Sequence, residues 1–193
     1  MKRALVLYAH PCEESFAASL HGAVVGALTT KGWQVDDCDL YAEGFDPVLT
    51  AAERRCYHDT ATNTHGVQAY IDRVVAADAL VLCFPVWNYG YPAILKGFFD
   101  RVFLPGLTFK MESGLVKPGI LKIEKLAAVT TYGGSRLRSF LAGDPPRKLI
   151  SRAVWGSTGR GKLRYLALYD MNRATVDQRQ TFLDKVRMEM GQF

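Results

Sequence analysis

The sequence predicts an α/β fold in which a five-stranded parallel sheet carries helices on both faces. Three observations predict it. Short apolar runs alternate with segments of helical period along the whole chain. Several runs are apolar at consecutive positions rather than at every second one, the pattern of strands covered on both sides. The links between runs are long enough for the crossover helices that parallel neighbours need.

The elements follow in order. Residues 4–9 form the first strand, bounded by Arg3 and His10. Residues 15–31 read as a helix, with Phe16, Leu20, Val24 and Leu28 four apart on one face and Gly32 as its C-terminal cap. A second, shorter strand spans 33–40. The stretch 41–64 is polar and turn-rich, with a bend at Asp46-Pro47 and a short helix over 51–57. Residues 66–77 read as a helix through Val67, Tyr70, Ile71 and Val74. The third strand spans 79–84, and Pro85 is expected to stop it, because proline lacks the donor a central strand needs. A helix over 92–103 has its proline in the first turn, where the missing N–H does no harm. Residues 126–131 are the fourth strand, 146–155 a helix and 163–169 the fifth strand. The last helix, 175–190, places Val176, Leu183, Val186 and Met190 on one side. Residues 105–125, with Pro105-Gly106 and Pro118-Gly119, read as a long connection of the kind that often carries function. Residues 1–193 read as one domain, without repeats, low-complexity segments or an interdomain linker.

Composition narrows the function. Apolar residues make up 49% and charged residues 22%, so disorder is excluded. The net charge of +5 favours anionic partners, but Lys and Arg form no long block, which argues against nucleic acid. The four cysteines, Cys12, Cys38, Cys56 and Cys83, show no C-x-x-C spacing, so a zinc ribbon or redox dithiol is not supported. His58, Asp59 and His65 match no common metal site, and no metal is expected. The apolar stretch after Met1-Lys2-Arg3 is too short for a signal peptide, and no segment is long enough to span a bilayer. The expected location is therefore the cytoplasm, with reduced thiols.

Ligands of an open parallel sheet bind beyond the carboxyl ends of its strands. Three segments leave those ends with unusual composition. The first, from His10 to Ser19, opens a helix, and the free N–H groups there suit a phosphate, with hydroxyls from Ser15 and Ser19 and an imidazole donor from His10. The alternative is that Ser15 is simply an N-cap. The second reads F-P-V-W-N-Y-G-Y-P, and Trp87, Tyr89 and Tyr91 follow directly on a buried strand, where aromatics beside Gly and Pro suit a planar ligand. The third, T-T-Y-G-G-S, has paired glycines that let the backbone approach a ligand closely. Gly156 to Lys162 has the spacing of an NTPase phosphate loop. It lacks the following Ser or Thr and precedes a strand instead of following one, so it is discounted. No G-x-S-x-G elbow surrounds Ser15.

Taken together, "LVLYAHP…SF", "ADALVLCFPVWNYGYPAILKGFFDRVF" and "TTYGG" resemble the flavodoxin-like NAD(P)H:quinone oxidoreductases, the DT-diaphorase-like group, over about residues 3–135. The resemblance implies a flavodoxin-like three-layer sandwich with strand order 2-1-3-4-5. It implies that His10, Ser15, Phe16, Ala17 and Ser19 hold a flavin's phosphate and ribityl chain, Ala17 standing where many members have Asn. It implies that Pro85, Val86, Trp87, Asn88 and Tyr89 bind the ring edge, and that Thr131, Tyr132, Gly133 and Gly134 flank its other side. Larger members place a Tyr and a His after this last loop. Here the stretch is Arg136-Leu137-Arg138-Ser139, so no protein acid is assigned to the hydride step. The implied function is transfer of hydride from NAD(P)H through the flavin to a quinone or similar flat acceptor, with ping-pong kinetics. A homodimer is implied, with residues 92–104 and 105–125 as the candidate contact. FMN is favoured over FAD because one helix-start phosphate site is legible, FAD remaining open. Two rival classes stay open. One is an ancillary regulatory flavoprotein of a potassium efflux system with a membrane-protein partner, and the other is a flavodoxin-type electron carrier.

Overall fold

The computed structural model of the chain describes residues 1–119, 121 and 123–193. Its strands are β1 (Arg3–Tyr8), β2 (Gln34–Asp39), β3 (Ala79–Val86), β4 (Phe109–Glu112), β5 (Leu115–Pro118), β6 (Lys125–Tyr132) and β7 (Lys162–Leu168). Five of them make a parallel sheet in the order β2-β1-β3-β6-β7, while β4 and β5 form a separate antiparallel hairpin. Counting main-sheet strands alone, this is the expected 2-1-3-4-5 order. The register sets Ala4 beside Ala79, Val81 beside Ala127 and Val129 beside Leu166.

Alternate residues of the central strands feed two cores. Ala4, Val6, Val81, Cys83 and Val129 point to one face, where Leu20, Val24 and Leu28 of α1 (Phe16–Thr30) meet Phe182, Val186 and Met190 of α8 (Val176–Gly191). Leu5, Leu7, Leu80, Leu82 and Leu126 point to the other. That face is covered by α3 (Gln68–Val75), α4 (Ala93–Val102) and a helical run over 145–157, while the short α2 (Ala51–Cys56) buries no residue of its own. The run comprises α6 (Pro145–Lys148), a π-helical turn (Leu149–Val154) and α7 (Trp155–Ser157). Each fully buried Leu or Val contributes about 1.5–3 kcal/mol, which is why consecutive apolar positions specify these strands so firmly.

Local signals explain the helix ends. The Ser15 Oγ accepts from the Ala18 N–H at 3.1 Å and starts α1. Gly32, at φ +91°, ends it, with the Gly32 N–H donating to the Thr29 carbonyl and the Trp33 N–H to that of Leu28. Thr175 and Gln178 form a reciprocal capping box at the start of α8.

The structure corrects three expectations. Pro85 does not stop β3, which runs on to Val86 with Pro85 beside Thr131. The Cys83 carbonyl accepts from the Ala9 N–H, so alternate residues from Cys83 onward face β1. The β1 ladder ends there, so the donor that Pro85 lacks would have had no strand to meet. Pro92 is the N-cap of α4 rather than a residue inside it. The long connection over 105–125 contains the β4–β5 hairpin, residues 120 and 122 lying outside the described residues. A short α5 (Arg136–Leu141) follows the third loop. Among the described residues, no helix is long and apolar enough to cross a membrane.

Candidate functional site

The chain winds from β1 outward to β2, then returns past β1 to β3, so β1 and β3 are adjacent where the winding reverses. The helices that follow them leave on opposite faces of the sheet, so their loops part at the carboxyl rim, the place where ligands of such sheets bind.

The first loop is a turn with unspent donors. The Cys12 N–H donates to His10 Nδ1 at 3.0 Å, so the neutral imidazole carries its proton on Nε2, where it can donate. Ser15 is the N-cap and its Oγ is occupied by Ala18. The N–H groups of Phe16 and Ala17 have no hydrogen-bond partner among the described residues. Two free N–H groups at the positive end of a 15-residue helix, beside an imidazole donor, make a cradle for an anion. The Tyr8 hydroxyl, buried near Ser15 and Cys12, has no hydrogen-bond partner among the described residues, and burial pushes its pKa up. Ser19 lies exposed one turn into the helix, past the cradle itself.

The second loop is a tight two-residue turn. The Gly90 N–H donates to the Trp87 carbonyl at 2.8 Å, and the Trp87 N–H to the Gly90 carbonyl at 3.2 Å. Between them Asn88 at φ +50° and Tyr89 at φ +57° are both left-handed. This is a type I′ geometry, held by two residues that are not glycine. Such positions store strain and cluster at binding sites. The turn lifts Trp87 and Tyr89 out of the sheet, 41% and 40% exposed, while the side chains of Pro85 and Val86 stay buried beneath.

The third loop meets the second from the other side. A Cβ placed on Gly134 would sit 3.5 Å from the Tyr89 hydroxyl, and one on Gly133 would sit 3.1 Å from Asn172 Nδ2. The Asp170 N–H donates to the Gly134 carbonyl at 2.9 Å. On the far side, the rings of His10 and Trp87 contact edge to face. The three loops therefore line one rim, in the sequence His10, Trp87, Tyr89, Gly134.

Not every expected residue reaches that rim with its side chain. Tyr132 is 1% exposed and packs into the core, so its side chain is turned away from the rim. Thr131 is buried as well. Tyr91 turns back inward against Phe84 and Phe99, its hydroxyl donating to the Pro146 carbonyl at 2.5 Å. Asp170 and Asn172, which follow β7, were not foreseen. The strand-end rule applied to the fifth strand would have pointed to them. Among the described residues no cluster of metal-ligating side chains occurs. The arrangement suits a flat ring with a polar edge, carried on a phosphorylated tail.

Comparison with known proteins gives the chain a family and a fold. A family model described as a flavodoxin-like fold matches residues 2–192. The NAD(P)H dehydrogenase [quinone] 1 of Cavia porcellus is 31% identical over 155 residues, covering 72% of this chain and 56% of the relative. The chain thus spans little more than half of that relative's length. The crystal structure of Smu.1420 from Streptococcus mutans UA159 superposes with a TM-score of 0.86 at 28% identity, over 99% of this chain and 100% of that one. The NAD(P)H:quinone oxidoreductase from Methanothermobacter marburgensis shares the fold with a TM-score of 0.85 at 24% identity, over 98% of both chains.

Proposed function

This chain belongs to the flavodoxin-like-fold family, and from that premise we propose that it is a flavin-dependent oxidoreductase, passing hydride from NAD(P)H to a quinone or similarly flat acceptor. The observation that carries the reading is the meeting of three strand-end loops, one an anion cradle and two a slot with aromatic and main-chain walls. When bound, the flavin supplies the hydride chemistry, and the protein supplies binding and orientation.

The residues present fit such a group. His10 Nε2–H and the N–H groups of Phe16 and Ala17 hold its phosphate, with Ser15 shaping the turn. Trp87 offers an exposed ring, and the main chain of Pro85 to Tyr89 reads the polar ring edge. The Gly133–Gly134 turn closes the other side, where a side chain added at Gly133 would crowd Asn172. With a flavin held there, the aromatic wall would shield one face of the ring and leave the other for donor and acceptor in turn, the basis for expecting ping-pong kinetics. A single anion cradle favours FMN over FAD.

A homodimer is part of the same reading. A cavity of about 490 Å³ lies between α4, the hairpin and the 145–157 helical run, lined by Phe99, Phe103, Phe109 and Leu149. That apolar lining supports α4 and the hairpin as the contact between copies.

The test is the absorbance of the purified protein and the mass of the cofactor it releases, followed by steady-state quinone reduction. Flavin bands, a released mass of FMN and parallel double-reciprocal lines are expected. A colourless protein that takes up no flavin when offered it overturns the reading.

A further inference from the structure

We propose that Asp144 is a positioning residue for the third loop: it anchors Tyr132 and Arg147 beneath the sheet rim and so fixes the Gly133–Gly134 turn that walls the slot. The inference rests on the reading of that slot as a flavin site.

Tyr132 is the last residue of β6 and immediately precedes Gly133. Its hydroxyl stands 2.7 Å from Asp144 Oδ1 and 2.6 Å from the Tyr165 hydroxyl. A carboxylate can only accept, so Tyr132 spends its single proton on Asp144 and accepts from Tyr165. The second carboxylate oxygen of Asp144 is 3.2 Å from Arg147 Nε. Arg147 lies over the Tyr165 ring at 4.2 Å and donates through Nη2 to the Tyr169 hydroxyl at 3.2 Å. The Tyr169 ring stacks on that of Tyr132, with centroids 4.5 Å apart. The ring of contacts from Tyr132 through Asp144, Arg147 and Tyr169 is closed.

This cycle grips the third loop at both ends. Tyr132 leads into Gly133, and Tyr169 leads into Asp170, whose N–H holds the Gly134 carbonyl. Burial pushes the hydroxyls of Tyr132 and Tyr165 well above the usual phenol range, so both stay protonated. Asp144 itself sits at φ +44°, a left-handed conformation that a non-glycine residue keeps only when its surroundings impose it. An apolar filling would serve stability as well as a polar cluster does. What the polar cluster adds is a single geometry, because each hydrogen bond has one partner and one direction. Among the described residues the Asp144 side chain accepts from Tyr132 and pairs with Arg147, so its influence on the turn passes through Tyr132.

The test compares the full wild-type chain with Asp144→Ala and Asp144→Asn. Amide exchange at Asp170 reports the hold on Gly134, and fluorescence quenching reports FMN affinity. Asp144→Ala is expected to speed Asp170 exchange and to weaken FMN binding by about tenfold each, while β1 and β3 amides exchange as in the wild type. Asp144→Asn keeps an acceptor for Tyr132 and is expected to recover most of both. Unchanged Asp170 exchange in Asp144→Ala overturns the proposal. So does uniform acceleration across the sheet, or an Asn variant no better than the Ala one. If Asp144→Ala does not fold, Tyr132→Phe, which removes only the hydroxyl, is read by the same criteria. If the wild type takes up no FMN, the flavin reading falls, and the exchange data alone decide the role of Asp144.

Discussion

His10 and Trp87 meet edge to face, with ring centroids 5.6 Å apart and planes inclined at 61°. One residue leaves β1 and the other leaves β3, so this contact joins the anion cradle to the aromatic wall. The two halves of a ligand, tail and ring, would be held on either side of it.

Replacing Trp87 and Asn88 together by alanine should weaken flavin binding by about tenfold or more and leave the fold intact. Both residues are exposed on the turn, so their loss removes little core packing. Titration with FMN, alongside thermal unfolding of the flavin-free chain, checks both halves of the expectation. Unaltered affinity would place the ring elsewhere.

Gly97 is expected to tolerate no side chain. A Cβ there would stand 2.3 Å from both the Cβ and the carbonyl oxygen of Pro47, where the 41–64 segment crosses α4. Gly97→Ala must push that crossing outward, and should cost about 3 kcal/mol. Urea unfolding of the variant measures it, and a loss under about 1 kcal/mol would mean that the crossing is loosely held.

Acid should loosen the β1–β2 edge through Asp36. Burial opposes its charge, but hydrogen bonds from Arg73 and Arg3 outweigh burial and hold its pKa below the ordinary 3.8. A carboxylate with a depressed folded-state pKa contributes stability in full above its unfolded value and loses it as pH falls through the folded one. Stability should therefore decline below about pH 4, and Asp36→Asn should flatten that decline while lowering stability at neutral pH. Denaturant midpoints across the pH series decide it.

Thiol titration should separate the cysteines into two classes. Cys12 and Cys56 are exposed, whereas Cys38 and Cys83 are buried, and burial pushes both buried thiols far above the usual range. A thiolate reagent at mild alkaline pH should modify two groups in the native chain and all four in denaturant. Rapid native reaction of a third would show that one core opens on the timescale of labelling.

The sheet was legible because a strand buried on both faces has nowhere to place a polar residue, and 4–9 and 79–84 show that directly. What escaped were positions decided by neighbours. Pro85 looked like a stop because a sequence does not show that β1 ends first. Tyr132 looked like a ligand contact because it stands beside paired glycines. Its phase with Ala128 and Leu126, two and three steps of the strand repeat away, already assigned it to the core. The hairpin carried its own signal in Ser113-Gly114, both left-handed in the structure, between two short segments whose charges disguised them as loop. Asp144 gave no signal, because its partners lie 12 and 3 residues away and converge only through the fold.

The reversal of winding between β1 and β3 has an outcome of its own for how this molecule can change. The main chain parts there because of its route through the sheet, whatever side chains the loops carry. Drift or engineering along the loops can therefore change the side chains presented there, while the parting survives as long as the chain keeps its route.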